Sequence, residues 1–371
     1  MSTTLDASVR NQLQRGLDFA ASQCRRLLEQ YPGYYPMYTV GGRWRQEPEL
    51  WTHWCEGFYP GIFWLLHQHT GEAHWRAAAE QYSKKLEPRQ HDRQVHDLGF
   101  LFFSTYLRWY HRTNDPALRD VLITAGRTLA LRRQPGGYLA SFIGPESLFI
   151  DIMMNVGLIF WAANATGDDA LRQVALEHCR TTEKYLLRPH GGCAHEGIFD
   201  VPSGRFLRES THQGYSPSST WSRGLAWALY GFTAAHRLSG EREFLETARR
   251  CAEYYLRRTP PGLVPYWDYD APLDDPPLWD SSAAAITASG LFDLAEAPLD
   301  GAEQERYRQA ALTILQSLCS DKFLASSVPG WEGILLHGVY HKHKNLGVDE
   351  SVAWGDHFFV EALVKALNQN V

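Results

Sequence analysis

The chain has 371 residues, of which 44% are hydrophobic and 21% are charged, so it can bury a large core. Its formal net charge is -6 and no basic block stands out, which argues against nucleic acid as a partner. We expect no secretory leader and no membrane span, because no stretch approaches the roughly 18 apolar residues that a span requires. The six cysteines are scattered without a CxxC pair, which favours free thiols in a reducing compartment, by default the cytoplasm.

One pattern recurs along the chain: an apolar helix ends in a short turn, and an amphipathic helix follows. The turn NATGDDALR at 164–172 is typical. Gly, Asn and Asp end helices, and acidic residues suit the first turn of the next helix. The helices before the turns are apolar nearly all round, which indicates burial on every side, whereas those after the turns carry one apolar stripe.

Taken in chain order, the predicted helices alternate between these two kinds. The amphipathic helices are predicted near 5–30, 73–86, 116–133, 168–187, 240–258 and 302–319. The apolar helices are predicted near 57–69, 96–112, 148–165, 220–237, 281–296 and 353–367. This repeat predicts an all-α fold, an (α/α)6 barrel of six inner and six outer helices, built by one domain over 1–371. Short hairpins fit the long connections at 188–218 and 259–279.

In such a barrel all inner helices run in the same direction, so their N-terminal ends surround one mouth. Polar and aromatic residues cluster at these ends, as in HDLGF at 96–100 and STWSRGLAW at 219–227. Helix N-termini also favour negative charge, through the helix dipole and free N–H groups. The mouth is therefore predicted to be a cleft suited to an anionic ligand.

Two carboxylates lie near the starts of neighbouring inner helices. Asp97 opens the second inner helix, and Asp151 lies on the third, four residues before Asn155 on the same helical face. Helices pack about 8–10 Å apart, so the two carboxyl groups can approach each other. Such a pair can separate its pKa values into an ionised group and a proton donor. Ordinary capping, or pairing with an arginine, is the alternative for each.

Further polar candidates lie before and on the fourth inner helix. Arg223 and Trp227 are four residues apart, so they face one way. Arginine can clamp a carboxylate and tryptophan can stack under a sugar ring, although a cation–π pair that braces the core is the alternative. His195 and Gln213 lie in the long connection that precedes this helix. The HKHK run at 341–344 has nothing nearby to complete a metal set, so neither a metal nor a cofactor is expected.

Several motifs occur together in the order of a known family. They are HDLGF, FIDIMMN, THQGYSPSSTWSRGLAWALYGF, YWDYD followed by DSSAAAITASGL, and VAWGDHFFVEAL, within about residues 54–367. As a set they resemble the unsaturated glucuronyl hydrolases of glycoside hydrolase family 88, and this resemblance also implies an (α/α)6 barrel. The family removes a 4,5-unsaturated uronic acid from the non-reducing end of lyase-generated oligosaccharides. It does so by hydrating a vinyl ether, without a metal.

The resemblance implies a role for each matching residue. Asp151 matches the general acid/base, which protonates C4 and activates the water that adds at C5. Asp97 matches the second essential carboxylate, which positions or polarises the first. Substrate contacts are implied for Trp54, His195, Gln213, Arg223 and Trp227.

The sequence also departs from the family pattern. Leu225 stands where the family usually has Gln, and the segment before Trp54 fits poorly, so the site for the leaving sugar differs. Lys342 and Lys344 lie where some relatives contact a sulfate on the second sugar, and they are candidates for that contact.

Three other functions are compatible with the sequence. Unsaturated rhamnogalacturonyl hydrolases share the barrel and the chemistry, but their motifs fit less well. An endoglycanase or a sugar epimerase on the same barrel is a second alternative, although an epimerase should have paired histidines across the mouth. A non-catalytic oligosaccharide-binding protein is the third, and it would bind uronides without needing Asp151. The sequence determines neither the parent polysaccharide nor the oligomeric state.

Overall fold

The computed structural model describes residues 5–47, 54–273 and 275–368. Its helices are α1 (Ala7–Gln30), α2 (Phe58–Thr70), α3 (Ala73–Lys85), α4 (Leu98–Phe102), α5 (Arg108–Thr113), α6 (Pro116–Ala130), α7 (Gly157–Thr166), α8 (Asp169–Leu186), α9 (Ser222–Ser239), α10 (Arg242–Arg258), α11 (Ser281–Ala295), α12 (Gly301–Leu318) and α13 (Ala353–Asn368). Its strands are β1 (Thr39–Val40), β2 (Arg43–Trp44), β3 (Ser147–Phe149), β4 (Glu196–Asp200), β5 (Arg205–Ser210), β6 (Gly338–His341) and β7 (Leu346–Glu350).

The helices form two concentric layers. The inner layer consists of α2, α4 with α5, α7, α9, α11 and α13, and α13 packs against α2 to close the ring. One turn of π-helix, Phe103–Leu107, joins α4 to α5. The outer layer consists of α1, α3, α6, α8, α10 and α12, each packed against inner helices. The predicted (α/α)6 barrel is therefore confirmed, with six inner and six outer positions.

Local sequence explains the contrast between the layers. Outer helix α10 buries one stripe, which includes Phe244, Ala248, Cys251 and Tyr255 at helical spacing. Inner helix α11 is instead rich in small residues, and all but one of its side chains are buried. A Cβ on its Gly290 would lie 2.8 Å from Leu229 of α9, so this glycine permits the close approach of two inner helices.

The turns between inner and outer helices follow the predicted pattern. The helices α2, α7 and α9 end at Gly71, Gly167 and Gly240, whose φ angles are 73°, 69° and 79°. This left-handed conformation favours glycine, because it lacks a Cβ. None of the helices in the described ranges is both long and apolar enough to cross a membrane.

The third inner element differs from the predicted single helix over 148–165. Its first residues form β3, Ile150–Met154 form a 3₁₀ turn that contains Asp151, and α7 begins only at Gly157. The prediction of one continuous helix is therefore wrong.

The side chain of Asn155 explains this break. Its Oδ1 accepts a hydrogen bond from the backbone N–H of Phe100 at 2.9 Å, and its Nδ2 donates to the backbone carbonyl of Asp151 at 3.1 Å. These bonds link the third inner segment to the second and hold the chain out of α-helical geometry before α7. The predicted shared helical face of Asp151 and Asn155 is wrong, since Asn155 binds backbone groups instead.

Short antiparallel strands line the mouth of the barrel. The strands β3, β4 and β5 form one sheet, and Phe149 pairs with Glu196 in it. The hairpin expected within 188–218 is thus confirmed. The described part of 259–279 contains no strand. The hairpins β1–β2 and β6–β7 were not predicted, and β6–β7 contributes to the cleft described next.

Candidate active site

A cleft opens where the inner helices begin. It is lined by Trp54, His96, Asp97, Phe100, Phe142, Phe149, Asp151, His212, Gln213, Arg223, Trp227, Tyr340 and His341. These residues come from the segments that precede or begin α2, α4, α7 and α9, and from β6. Six residues singled out in the sequence therefore line one cleft: Trp54, Asp97, Asp151, Gln213, Arg223 and Trp227. His195 lies directly behind Asp151, and Lys342 and Lys344 lie outside the lining.

Asp151 is a buried carboxyl group that faces this cleft. Burial raises its pKa from the ordinary value of 3.8 to about 7, although the positive charge of Arg223 acts in the opposite direction. Its Oδ1 atom is buried and accepts no hydrogen bond from any described residue. Asp151 is therefore part protonated near neutral pH, and it has an oxygen available to a substrate or a water.

Asp97 is the second buried carboxyl group of the cleft. Burial and the charge of Asp151 raise the pKa of Asp97 well above its ordinary value, and Arg132 and Arg89 only partly oppose this. Although Asp97 precedes α4, its side chain makes no capping hydrogen bond. Its Oδ1 instead lies 3.3 Å from Nε2 of His96. The charge of Asp151 thus disfavours ionisation of Asp97, so the two carboxyl groups do not ionise independently.

Two buried histidines support these carboxyl groups in the same way. Nδ1 of His96 accepts the backbone N–H of Phe142 at 3.0 Å, and Nδ1 of His195 accepts those of His212 and Gln213 at 3.0 and 3.1 Å. A nitrogen that accepts N–H groups carries no proton, so the proton of each neutral ring is on Nε2. Burial lowers the pKa of both histidines well below 6.5, which keeps them neutral.

His195 directs its protonated nitrogen toward the reactive carboxyl. Its Nε2 lies 4.0 Å from Oδ1 of Asp151, and neither atom has a hydrogen-bond partner among the described residues. Two buried polar atoms of this kind are costly unless a further group satisfies them. The gap between them therefore points to a site for a polar atom of a substrate or a water.

Arg223 forms a charged part of the cleft wall. Its side chain is 1% exposed and lies between the rings of Trp221 and Trp354, with its guanidinium carbon 4.3 and 5.1 Å from their centres. Its two terminal nitrogens donate to protein oxygens, namely Asp280 Oδ2, Gln213 Oε1 and the carbonyls of Val339 and Tyr340. Arg223 thus supplies positive charge from within the wall. Both terminal nitrogens of its guanidinium already donate hydrogen bonds to the protein.

The two predicted stacking tryptophans differ in exposure. Trp54 is partly exposed, and its ring centre lies 4.7 Å from that of Trp354 and 5.6 Å from that of Phe100. Trp227 is 1% exposed and packs 5.0 Å from Phe100 and 5.5 Å from Phe358. Trp54 can therefore present a ring face to a sugar, whereas Trp227 mainly supports the aromatic wall.

The predicted second-sugar residues lie on the β6–β7 hairpin. The Nζ atom of Lys342 lies 5.2 Å from the ring centre of Trp267, outside the cleft. Lys344 is exposed, and its charge acts on His212 and His341, which both line the cleft. Lys344 is therefore the lysine whose charge acts on histidines of the cleft lining.

His341 is a cleft residue that the sequence argument missed. It is 3% exposed, neither ring nitrogen has a hydrogen-bond partner among the described residues, and burial lowers its pKa to about 3. His341 belongs to the HKHK run, whose local sequence indicates neither a complete metal set nor which histidine enters the cleft. His341 is the last residue of β6 and lies in the cleft lining beside Tyr340. No group of three or more metal-binding side chains occurs in the described ranges. His96, beside Asp97 in HDLGF, was missed in the same way.

Comparisons with known proteins identify the family of this chain. The model of Glycosyl Hydrolase Family 88 matches residues 34–328. An unsaturated glucuronyl hydrolase of Bacillus sp. (strain GL1) is 34% identical over 328 residues, which are 85% of this chain and 86% of that protein. An unsaturated chondroitin disaccharide hydrolase of Streptococcus pyogenes serotype M1 is 31% identical over 324 residues, 85% and 81% of the two chains.

The fold agrees as well. The crystal structure of an unsaturated glucuronyl hydrolase specific for heparin matches with a TM-score of 0.89 and 30% identity, over 96% of this chain and 97% of that one. The family model and these relatives each span most of the sequence. The chain belongs to glycosyl hydrolase family 88.

Proposed function

We propose that this chain removes a 4,5-unsaturated uronic acid from the non-reducing end of an oligosaccharide by hydrating the C4=C5 double bond. One observation carries this proposal: burial raises the pKa of the Asp151 carboxyl to about 7, and one of its oxygens accepts no hydrogen bond from any described residue. A carboxyl of this kind can both donate and accept a proton under mild conditions. The names of the relatives support the same reaction class.

In the proposed reaction, protonated Asp151 transfers its proton to C4 of the vinyl ether. The positive charge that develops at C5 is shared with the ring oxygen. A water then adds to C5 and gives its proton to the Asp151 carboxylate, which restores the acid. The resulting hemiketal opens by breaking the bond between C5 and the ring oxygen. The hemiacetal centre at C1 then releases the leaving sugar, so no separate nucleophile is needed.

The neighbours of Asp151 have supporting roles in this proposal. In this proposal Asp97, beside Nε2 of His96, acts in its protonated form, which its raised pKa favours, and donates a hydrogen bond that polarises Asp151 or the substrate. His195 presents its Nε2 proton to a polar atom of the substrate or to the attacking water, next to Asp151 Oδ1. A neutral histidine in this position orients the water without competing for its proton.

Arg223 and the aromatic wall bind the unsaturated sugar in this proposal. Arg223 attracts the uronate carboxylate through its charge and holds the side-chain oxygen of Gln213, which leaves the amide nitrogen of Gln213 available to the sugar. Trp54 stacks against the sugar ring, and Trp227 forms the apolar wall beside it. Unpartnered His341 supplies a further polar contact from β6.

We propose that Lys344, and less directly Lys342, contacts an acidic group on the second sugar. The position of Lys344 beside His212 and His341 supports this role. The relatives include proteins named for chondroitin disaccharides and for heparin, which supports glycosaminoglycan fragments as the substrate class. Sulfated and unsulfated unsaturated disaccharides, compared with Lys344→Ser and Lys342→Ser variants, test this assignment.

Isotope incorporation tests the proposed reaction directly. The enzyme is incubated with an unsaturated uronide in D₂O, and the keto acid product is examined by NMR and mass spectrometry. Hydration by this route places one carbon-bound deuterium at C4 at the first turnover, which early spectra record before enolisation of the C5 ketone exchanges that position. Hydrolysis at C1 would instead first release the cyclic unsaturated uronic acid, with its double bond intact and C4 unlabelled until its ring opens, and detection of that compound as the first product would exclude vinyl-ether hydration.

We also propose a reducing compartment, the cytoplasm, as the site of action. All six cysteines are free thiols, and five of them are buried. Fractionation of the producing cells, with activity measured in each fraction, tests this proposal. Recovery of the activity outside the cells would contradict it.

A further inference from the structure

A second pocket lies beside the cleft, on the other side of Phe142. Phe142 lines both spaces, and the further walls of the second one include Arg93, Arg132 and Leu131. We call this space the Arg93 pocket. Arg93 is four residues from Asp97, so their Cα atoms are at most about 14 Å apart along the chain. A substrate that extends from the cleft past Phe142 therefore reaches the Arg93 pocket within a few sugar rings.

The wall between the two spaces is firmly built. The ring of Phe142 stacks on His96 with centres 5.8 Å apart, and its backbone N–H donates to the same histidine. Arg132 braces the wall from the other side, because its guanidinium donates to the carbonyls of Arg93, Ala140 and Ser141. The pocket is thus positioned relative to the reactive carboxyl groups by direct contacts.

The charge of the Arg93 pocket is positive. Arg93 is exposed, and its guanidinium makes no hydrogen bond or ion pair with any described residue. The guanidinium of Arg132 donates only to carbonyl oxygens, and Asp97 and Asp92 act on its charge without a direct ion pair. Asp92 itself pairs with Arg89. Glu146 carries the opposing charge at the edge, where a Cβ on Gly144 would lie 2.6 Å from its Oε2. The attraction for an anion therefore rests mainly on the exposed guanidinium of Arg93, which no described carboxylate pairs.

We propose that the Arg93 pocket binds the carboxylate of an internal uronate, so that the enzyme prefers unsaturated tetrasaccharides to disaccharides. This inference rests on the proposed function and extends it to the sugars beyond the scissile bond. Arg93 supplies an unpaired fork that fits a carboxylate, and the exposed side chain of Leu131 supplies an apolar surface for a sugar ring. A disaccharide has no second uronate and gains nothing from the pocket.

The test compares an unsaturated, unsulfated hyaluronan tetrasaccharide, which has one internal uronate, with the matching disaccharide. We expect kcat/KM to favour the tetrasaccharide, and Arg93→Gln to reduce this preference about two- to fivefold, as is typical of one exposed ion pair. The disaccharide value should stay unchanged, and added salt should weaken the preference of the wild type. Glu146→Gln should increase the preference, because it removes the opposing charge.

Arg127→Gln is the matched control, since Arg127 is an exposed arginine of α6 outside the pocket. The inference is overturned if Arg93→Gln leaves the preference unchanged, or if Arg127→Gln lowers it equally. A wild type that is inactive on both sugars overturns the proposed function instead. In that case calorimetric binding of the two sugars to Asp151→Asn protein, with and without Arg93→Gln, still decides whether the pocket binds the longer one.

Discussion

At the scale of single residues, the cleft depends on carboxyl groups whose charged forms burial disfavours. Asp151 and Asp97 lie close enough for the charge of one to raise the pKa of the other. Neither is neutralised by a direct ion pair with an arginine in the described chain, and the nearest cations act at longer range. Such an arrangement lowers stability, and its retention in a cleft is typical of a catalytic site.

Asp151→Asn should stabilise the protein at alkaline pH. The folded-state pKa of Asp151, about 7, lies above its ordinary value of 3.8, so the folded state holds this proton longer than the unfolded state. Stability therefore falls as pH rises from about 4 through about 7, and the penalty is complete above that range. We expect Asn to raise the free energy of unfolding at pH 8 by about 1–4 kcal/mol, and to have little effect at pH 4.

Urea unfolding at the two pH values measures this difference. Asp120→Asn, a change at an exposed position of α6, is the control and should alter stability little at either pH. An Asp151→Asn protein that is less stable than the wild type at pH 8 would contradict the account of a desolvated carboxyl.

Arg223→Ala should raise KM for unsaturated uronides about tenfold or more, because it removes the positive charge of the wall. It should also move the alkaline limb of the pH–rate profile to higher pH. The charge of Arg223 lowers the pKa of Asp151, so without that charge Asp151 keeps its proton at higher pH. Arg223→Lys retains the charge and should leave the limb near its original position.

A role of Arg223 in packing alone would not move the pH profile. Unchanged affinity for the unsaturated uronide in Arg223→Ala would therefore count against the assignment. Circular dichroism of both variants verifies that loss of the bond to Asp280 has not unfolded them.

At the scale of elements, the sequence predicted helices well and the strands around the mouth poorly. Hydrophobic periodicity is local, so it located all six inner and six outer positions. Strand pairing depends on partners that are distant in the sequence, and no local pattern indicated that β6 pairs with β7. This hairpin carries His341 into the cleft lining. The break before α7 has the same origin, because it depends on the bonds of Asn155 to Phe100 and Asp151.

The site was predictable to a similar extent. Motif resemblance identified Asp97, Asp151 and Gln213, which the fold brings to one cleft. It did not reveal that carbonyls of β6 and Asp280 occupy the guanidinium of Arg223, since those contacts join segments more than fifty residues apart. Trp227 was expected to stack under a sugar, and its burial in the wall depends likewise on tertiary packing.

Glu361 of α13 joins four inner elements far from the cleft residues. It pairs with Arg108 of α5, and it accepts hydrogen bonds from Tyr230 of α9 at 2.8 Å and from Ser289 of α11 at 2.5 Å. Burial alone would raise its pKa, but Lys365 and Arg108 hold the pKa well below the ordinary value of 4.5. This stabilisation is therefore present above about pH 4.5 and is lost as pH falls.

Glu361→Gln should lower the free energy of unfolding at pH 7 by up to about 3–5 kcal/mol, because it removes the carboxylate that pairs with Arg108 and one of the two beside Lys365. The difference from the wild type should shrink toward acid pH. Glu243→Gln, in an exposed pair with Arg180 on the barrel surface, should change stability by less than about 1 kcal/mol. Denaturant unfolding measures both variants, and equal losses would contradict the importance of the buried network.

At the scale of the whole molecule, the ring closes by contact of α13 with α2, so distant parts of the sequence support each other. The prediction that residues 1–371 form one domain leads to a direct expectation. Calorimetric and fluorescence unfolding should coincide in a single transition, with equal calorimetric and van't Hoff enthalpies. Two separated transitions, or a stable fragment after mild proteolysis, would contradict a single domain.

The structure and the family membership support the alternative functions left open by the sequence to different extents. Membership of family 88 favours a hydrolase of unsaturated uronides over an endoglycanase, an epimerase or a binding protein. The raised pKa values of the two carboxyl groups in the cleft favour the same choice. Unsaturated rhamnogalacturonyl hydrolysis uses similar chemistry, so substrate choice decides that alternative. Unsaturated pectic disaccharides therefore belong in the substrate panel beside glycosaminoglycan fragments.

The most direct test of the central claim is the ultraviolet absorbance of the conjugated uronate double bond. Purified wild type and Asp151→Asn protein are incubated with a panel of lyase-generated unsaturated disaccharides. We predict that absorbance decays with the wild type only, while the variant remains folded and binds the same sugars. An undiminished rate in folded Asp151→Asn protein, or no decay with the wild type on any uronide, would contradict the account.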